Sequence, residues 1–334
     1  MIYLQEVSIM TKCYGCGVKL QNVDTLKEGY TYNLSNNLCE RCFRIKNYND
    51  YKPINKDNNT YLEIIKNIDR NDLVLIVVDI FSISNSLKNI IDIIKNDKIL
   101  VLTKRDLLPK DIYENKLLDY FDDLFVDKII ISSKKNYNFD LLMDKINKYK
   151  NSNNVYVVGF TNAGKSTLIN KIIYNYTDIK NTITTSNLPS TTLDTITIKI
   201  NENLNLIDTP GIIDNGNILN SIDKSYLKKI IPNNTIKPII YQIKMKQTIF
   251  IDDLCRIDVD AKNDLVLYFS NNLNIDRVFK KSDKLLNLKC HSIEVNDKCD
   301  IVISGLGFVK VMKKCIINLY TFDNVFVYTR DSLI

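Results

Sequence analysis

The chain has 334 residues, 45% hydrophobic and 25% charged, which excludes a wholly disordered protein and leaves room for two or three domains. Its one histidine, His291, argues against Ser-His-Asp or Cys-His chemistry, because the commonest general acid and base is almost absent. The formal charge of +6 is uneven: residues 1–52 carry 7 basic and 5 acidic groups, 53–223 carry 20 and 22, and 224–334 carry 18 and 12, which fits a polyanion met by the two ends and equally a well-solvated Lys-rich surface. With 42 Asn, and 38 Lys against 7 Arg, the composition is biased, and no isolated Asn or Lys is given weight.

Residues 1–52 read as a small loop-rich module. Cys13-Tyr-Gly-Cys16 and Cys39-Glu-Arg-Cys42 give C-x2-C-x22-C-x2-C, four soft thiolates suited to a closed tetrahedral Zn²⁺ site; an iron centre and redox thiols are the alternatives. Cys255, Cys290, Cys299 and Cys315 lack ligand spacing and are expected to be small core residues. The polar stretch Lys52–Asn59 reads as a linker. No apolar run reaches the ~18–20 residues that cross a bilayer, and the N-terminus lacks a signal-peptide pattern. The protein is therefore expected in the cytoplasm, with neither a membrane nor DNA as partner.

Residues 53–223 alternate apolar runs with amphipathic segments, the pattern of βαβ units on a parallel sheet. Strands are expected at Leu73–Val78, Ile99–Leu102, Lys128–Ile131, Val155–Gly159 and Leu204–Ile207, and helices over Ile90–Lys95, Phe139–Lys150 and Ser166–Tyr174. Residues 224–334 read as a separate, mainly β domain, with runs at Ile239–Ile243, Thr248–Ile251, Leu265–Phe269, Asp300–Ser304, Gly307–Val311 and Asn324–Tyr328.

The chemistry is concentrated in the middle segment. An apolar strand, the run Gly159-Phe-Thr161-Asn162-Ala163-Gly164-Lys165-Ser166-Thr167 and an apolar-periodic helix together satisfy the context of a phosphate-binding P-loop. The two glycines permit a curl whose N–H groups converge on phosphates, and the helix N-terminus adds partial positive charge. Lys165 is expected to reach the β- and γ-phosphates, and the Ser166 hydroxyl to ligate Mg²⁺. Forty-three residues beyond Lys165, Asp208-Thr-Pro-Gly211 offers a carboxylate for Mg²⁺ and a Gly211 N–H for the γ-phosphate. Between them, Pro189-Ser-Thr191-Thr192 supplies a threonine to close over Mg²⁺; Thr192 is favoured, although either hydroxyl could serve.

Thr103-Lys104-Arg105-Asp106 follows a strand and is similar to the guanine-reading N-K-x-D motif. Asp106 can accept from both N1–H and N2–H₂ of guanine, a donor pair that adenine lacks, while the Lys104 stem can cover the base. Thr103 replaces the usual Asn and removes an amide that braces the site. Ser132-Ser133-Lys134 resembles the S-A-K loop that meets the base oxygen. These base-reading motifs precede the P-loop, which is a circularly permuted order and sends the Gly211 loop directly into the C-terminal domain. Ile212 stands where Ras-like enzymes carry a water-orienting Gln. Hydrolysis is then expected to rely on backbone groups, bound ions, a group from a partner, or a combination of these, with Lys165, Gly211 and Asn162 as the candidate catalytic residues, the last as a partner for a bridging K⁺.

On these residues the chain resembles the YqeH-type circularly permuted GTPases of bacterial ribosome assembly. The zinc module, Gly159–Asn170, Asp208–Gly211, Leu254-Cys-Arg-Ile-Asp258 and Ile303-Ser-Gly-Leu-Gly-Phe-Val309 carry the likeness. The resemblance implies GTP hydrolysis to GDP coupled to maturation of the small ribosomal subunit, with the flanking domains meeting rRNA or proteins. Ser190 in place of Gly, and Asp252-Asp253 where small residues are expected, depart from the family pattern. A zinc-containing RNA-binding module with a degenerate nucleotide site is the alternative, against which the intact Lys165, Ser166 and Asp208 argue; a metabolic ATPase is disfavoured by Asp106.

Overall fold

The computed structural model describes residues 12, 13, 19–24, 29–40, 43, 58–83, 86–121, 124–177, 195–223, 226–279 and 284–334. Cys16, Cys42, Ser190, Thr191 and Thr192 lie outside the described residues.

The first half is built on a run that reads LVLIVVD, buried at every position as β1 (Leu73–Asp79). Such a continuous apolar strand must be covered on both faces, which is the environment of a central parallel strand. The helices α1 (Asn58–Lys66), α2 (Ser86–Ile93), α3 (Glu114–Asp119), α4 (Phe139–Tyr149) and α5 (Lys165–Tyr176) alternate with β2 (Lys98–Thr103), β3 (Asp127–Ile130) and β4 (Asn154–Gly159), and the hairpin β5 (Ile196–Asn201) and β6 (Leu204–Asp208) follows. The strand order is β3-β2-β1-β4-β6-β5, parallel except for β5, which pairs antiparallel with β6 at the edge. Alternate residues of β1 and β2 supply two apolar layers: Val74, Ile76, Val78, Leu100 and Leu102 pack towards α1 and α2, and Leu73, Leu75, Val77, Ile99 and Val101 towards α4 and α5.

A short helix, α6 (Leu227–Ile230), leads to ten antiparallel strands. These are β7 (Ile239–Ile243), β8 (Gln247–Ile251), β9 (Cys255–Val259), β10 (Asn263–Phe269), β11 (Ile275–Val278), β12 (Lys289–Val295), β13 (Cys299–Ile303), β14 (Gly307–Val311), β15 (Cys315–Thr321) and β16 (Val327–Asp331). They form two five-stranded sheets, β16-β13-β14-β10-β7 and β11-β8-β9-β15-β12, around a core that includes Ile249, Ile257, Leu265, Val309 and Ile317. The region is not isolated from the first half. Tyr268, Val302, Phe308 and Leu333 join the same apolar layer as Val78, Phe81 and Leu102.

Several expectations need correction. α1 begins at Asn58, inside the stretch read as a linker. The helix expected at Ile90–Lys95 runs from Ser86 to Ile93. The last strand is β16 rather than Asn324–Tyr328, because Phe322–Phe326 turns and its Phe326 N–H bonds to the Gly216 carbonyl at 2.9 Å. Cys255 and Cys299 are buried as expected, but Cys290 is exposed on β12 and Cys315 is half-buried, where it accepts from Asn263 Nδ2 at 3.1 Å. Asp252 and Asp253 occupy a tight turn; Asp252 has a φ of 45° and is steadied by a 2.8 Å bond from its N–H to the Asn274 carbonyl. No helix among the described residues is long and apolar enough to cross a membrane.

Candidate functional site

Strand β4 ends at Gly159, where a Cβ would lie 2.5 Å from the Val77 carbonyl oxygen, so only glycine lets the chain turn here against β1. The following turn uses left-handed backbone at Asn162 (φ 65°) and Gly164 (φ 89°) before Lys165 opens α5. This mixed-hand turn ahead of a twelve-residue helix is the backbone form that gathers N–H groups for an anion. Asp208 closes β6, and its Oδ1 lies 2.7 Å from Lys165 Nζ, with both side chains no more than 4% exposed. The same ammonium donates to the Thr209 carbonyl. Two backbone bonds tie the Asp208–Gly211 loop to the P-loop: Thr161 N–H to Ile212 O at 2.8 Å, and Ile212 N–H to Gly159 O at 3.0 Å. A Cβ at Gly211 would meet Thr161 Cγ2 at 3.1 Å, tight enough to favour glycine. The Ile212 side chain is buried in the apolar layer beside β1, so it cannot orient a water.

The loops after β2 and β3 meet beside the P-loop. Thr103 is buried, and its hydroxyl donates to the Ala163 carbonyl at 2.6 Å. The smaller side chain therefore still braces the phosphate loop, which corrects the expectation of a lost brace. Lys104 adopts left-handed backbone and places Nζ 2.7 Å from Asp79 Oδ2. Asp106 Oδ1 accepts from the Ser132 hydroxyl at 2.6 Å, so the two base-reading motifs are joined through the carboxylate that would face the base. Arg105 pins this loop from behind through Glu114 Oε1 at 2.7 Å and the Pro109 carbonyl at 3.0 Å. Ser133 is half-buried, and the Lys134 ammonium donates to the Asn233 carbonyl.

A cavity of about 590 Å³ joins the P-loop to Asp79, Lys104 and Gly211, whereas Thr103, Asp106, Ser132, Ser133, Lys134 and Asp208 are not among the residues that line it. Its walls include Lys104, Thr161, Asn162, Gly164, Lys165, Ser166, Thr167 and Gly211 on one side, and Tyr268, Ser270 and Gly305–Gly307 of the β-rich region on the other. The seam beside it is hydrogen-bonded directly. Ser304 Oγ donates to Asp214 Oδ2 at 2.6 Å, and Ile218 N–H to the Ser304 carbonyl at 2.9 Å. Sequence reasoning missed Asp79, Asp214 and Ser304. Asp79 carries a visible signal, a carboxylate ending an otherwise apolar strand, whereas Asp214 and Ser304 are ninety positions apart and carry none.

In the N-terminal segment, Cys13 and Cys39 are both buried beside Leu20, and the Cys39 N–H points at Cys13 Sγ at 3.2 Å. Among the described residues no group of three or more His, Cys, Asp or Glu is arranged to hold a metal ion.

Comparison with known proteins agrees with this architecture. Residues 52–216 match the RsgA GTPase family, and residues 154–281 match the family described as 50S ribosome-binding GTPase. The chain is 34% identical over 363 aligned positions to protein YqeH of Bacillus subtilis (strain 168), covering 96% of this chain and 99% of that protein. It is 32% identical to the tRNA modification GTPase MnmE of Carsonella ruddii over 52% of this chain and 43% of that one. It is also 32% identical to GTPase Der of Buchnera aphidicola over 46% of this chain and 28% of that one. The chain is thus an enzyme that hydrolyses GTP and a member of the YqeH family of circularly permuted GTPases.

Proposed function

We propose that this GTPase acts in the assembly of the small ribosomal subunit, in the cytoplasm, with nucleotide state setting how its β-rich region presents itself to rRNA or ribosomal protein. Residues 1–52, 53–223 and 224–334 serve as zinc module, GTPase domain and ribosome-facing domain. The observation that carries the reading is the shared cavity, whose walls come from both the P-loop and the β13–β14 turn, so a change at the γ-phosphate side has a direct mechanical route to the second region.

In this reading Gly159 to Thr167 wrap the phosphates, Lys165 balances charge that develops between the β- and γ-phosphates, and the Gly211 N–H answers to the γ-phosphate. Asp106, with Ser132 holding its carboxylate, takes guanine N1–H and N2–H₂; Thr103, Lys104, Ser133 and Lys134 complete the base site. Ser166 and Asp208 would offer hard oxygen donors to Mg²⁺, with Thr192 as the third contributor, once the Asp208 carboxylate is released from Lys165, to which it is paired at 2.7 Å. Mg²⁺ bound there would supply positive charge against the negative charge of the phosphates. Water is oriented without a side chain from position 212, and Asn162 is the residue assigned to a K⁺ ion; equal turnover in Na⁺ and K⁺ buffers would remove that assignment.

Cys13, Cys16, Cys39 and Cys42 are assigned to structural Zn²⁺. The support is the buried approach of Cys13 to Cys39, which brings one member of each C-x-x-C pair together with an N–H aimed at sulfur, as closed thiolate sites require.

Sedimentation with separated ribosomal subunits, in GDP and in a non-hydrolysable GTP analogue, tests the reading. Co-sedimentation with the small subunit that depends on the analogue is expected. Binding to the large subunit alone, or binding indifferent to nucleotide, would overturn it.

A further inference from the structure

The segment that connects α6 to β7 does not simply span the two halves of the molecule. Thr235 Oγ1 donates to the Asp106 carbonyl at 2.8 Å, and the Ile236 N–H donates to the Leu107 carbonyl at 2.8 Å, so the connector lies along the backbone of the base-reading loop. The Ile236 side chain is buried in the layer shared by the two regions. On its other side the connector is held by one residue of the β10–β11 loop: Asn271 Nδ2 donates to the Thr235 carbonyl at 2.8 Å, and Asn271 Oδ1 accepts from the Lys237 N–H at 2.8 Å.

The opposite flank of the same motif is braced as well. Lys104 is tied to Asp79, and the turn after Asp79 ends at Ile83, whose carbonyl accepts from Tyr328 OH at 3.0 Å and from the Arg330 guanidinium at 3.3 Å. The loop carrying Lys104 and Asp106 is therefore held from two directions by residues of the β-rich region.

We propose that Thr235 and Asn271 are positioning residues for guanine selection. They act through the Asp106 backbone, so that docking of the β-rich region sharpens base discrimination. This rests on the reading of Asp106 as the guanine-facing carboxylate. The physical basis is that a bidentate contact tolerates little displacement: a carboxylate that shifts by a fraction of an ångström loses alignment with one or both donors. GDP, with two donors to Asp106, depends on that alignment more than IDP, which lacks the 2-amino group.

The test compares dissociation constants for GDP and IDP in the full-length chain. Thr235→Val and Asn271→Ala are each expected to weaken GDP roughly fivefold and IDP about twofold or less, so that the GDP:IDP preference contracts, and Thr235→Ser is expected to restore it. A purely structural role would lower the melting temperature and leave the preference unmoved, and that result overturns the proposal. Asp106→Asn serves as the control on the underlying reading, because an amide at this position matches xanthine and should shift preference from GDP to XDP. If that shift does not occur, the base-site reading fails; if it occurs while Thr235→Val and Asn271→Ala keep the wild-type preference, only the positioning role fails.

Discussion

Gly305 is the position where one methyl group should most sharply test the seam between the two regions. Its φ of 79° lies in the left-handed region, and a Cβ there would stand 1.9 Å from Asn217 Oδ1 and 2.5 Å from Asn217 Cγ. Asn217 is buried, and its Oδ1 caps the short helical turn Ile218–Asn220 by accepting from the Leu219 N–H at 3.0 Å. Gly305→Ala therefore adds about 1–2 kcal/mol of backbone strain, and expelling Asn217 forfeits a cap worth about 1 kcal/mol, for a total of about 2–3 kcal/mol. The readout is amide exchange at Ile218 and Phe326, whose N–H groups bond across the seam to Ser304 and Gly216, each at 2.9 Å. Exchange there should accelerate roughly 30- to 150-fold, at about 1.4 kcal/mol per tenfold. Asn217→Ala alone should cost only the cap. Combined with Gly305→Ala it should add almost nothing further, leaving a coupling of about 1 kcal/mol. Unchanged protection in Gly305→Ala, or simple additivity of the two substitutions, would refute the close approach.

Three further outcomes follow from other parts of the structure. Thr103→Val strands the Ala163 carbonyl in a buried position and should weaken GDP binding about tenfold, whereas Thr103→Ser should stay within about twofold; equilibrium titration with a fluorescent GDP distinguishes them. Burial, and secondarily the Lys289 ammonium, hold the His291 imidazole below the usual histidine range, so the folded chain binds fewer protons there than the unfolded one. Its contribution to stability is present above the unfolded pKa and is lost as pH falls through the folded one; urea midpoints between about pH 7 and pH 5 should fall by a small increment that His291→Gln removes. Zinc analysis of the purified chain should return about one ion per molecule, and Cys39→Ser should release it; equal metal content in the two proteins would contradict the four-cysteine assignment.

The parts of the fold legible in the sequence are those specified by neighbouring residues. β1 announces itself because a strand buried on both faces has to be apolar throughout, and the P-loop does so because its turn, lysine and helix start are contiguous. β5 escaped because an edge strand carries a weaker, alternating pattern, here ITIKIN with its outer residues exposed. Strands β9, β11 and β12 are similarly indistinct because charged residues interrupt their apolar pattern, while β15, CIINLYT, carries no charge and has only three fully buried positions, broken by Asn318. What composition and spacing could not supply was long-range closure: Thr235 reaches Asp106 across 129 positions and Ser304 reaches Asp214 across 90. Thr103 shows the same limit from the other direction. Its identity suggested a missing brace, and only the fold reveals that a hydroxyl at that point meets the Ala163 carbonyl.

Multiple-turnover phosphate release shows whether Lys165 and its loop bind and turn over a guanine nucleotide. Wild type and Lys165→Ala would be compared with GTP and with ATP, in the presence and absence of small ribosomal subunits. Turnover should be GTP-selective, slow for the isolated chain at roughly 10⁻⁴–10⁻² s⁻¹, and lost in Lys165→Ala. Equal hydrolysis of ATP, turnover that survives Lys165→Ala, or no turnover even with subunits present would contradict that role of the loop.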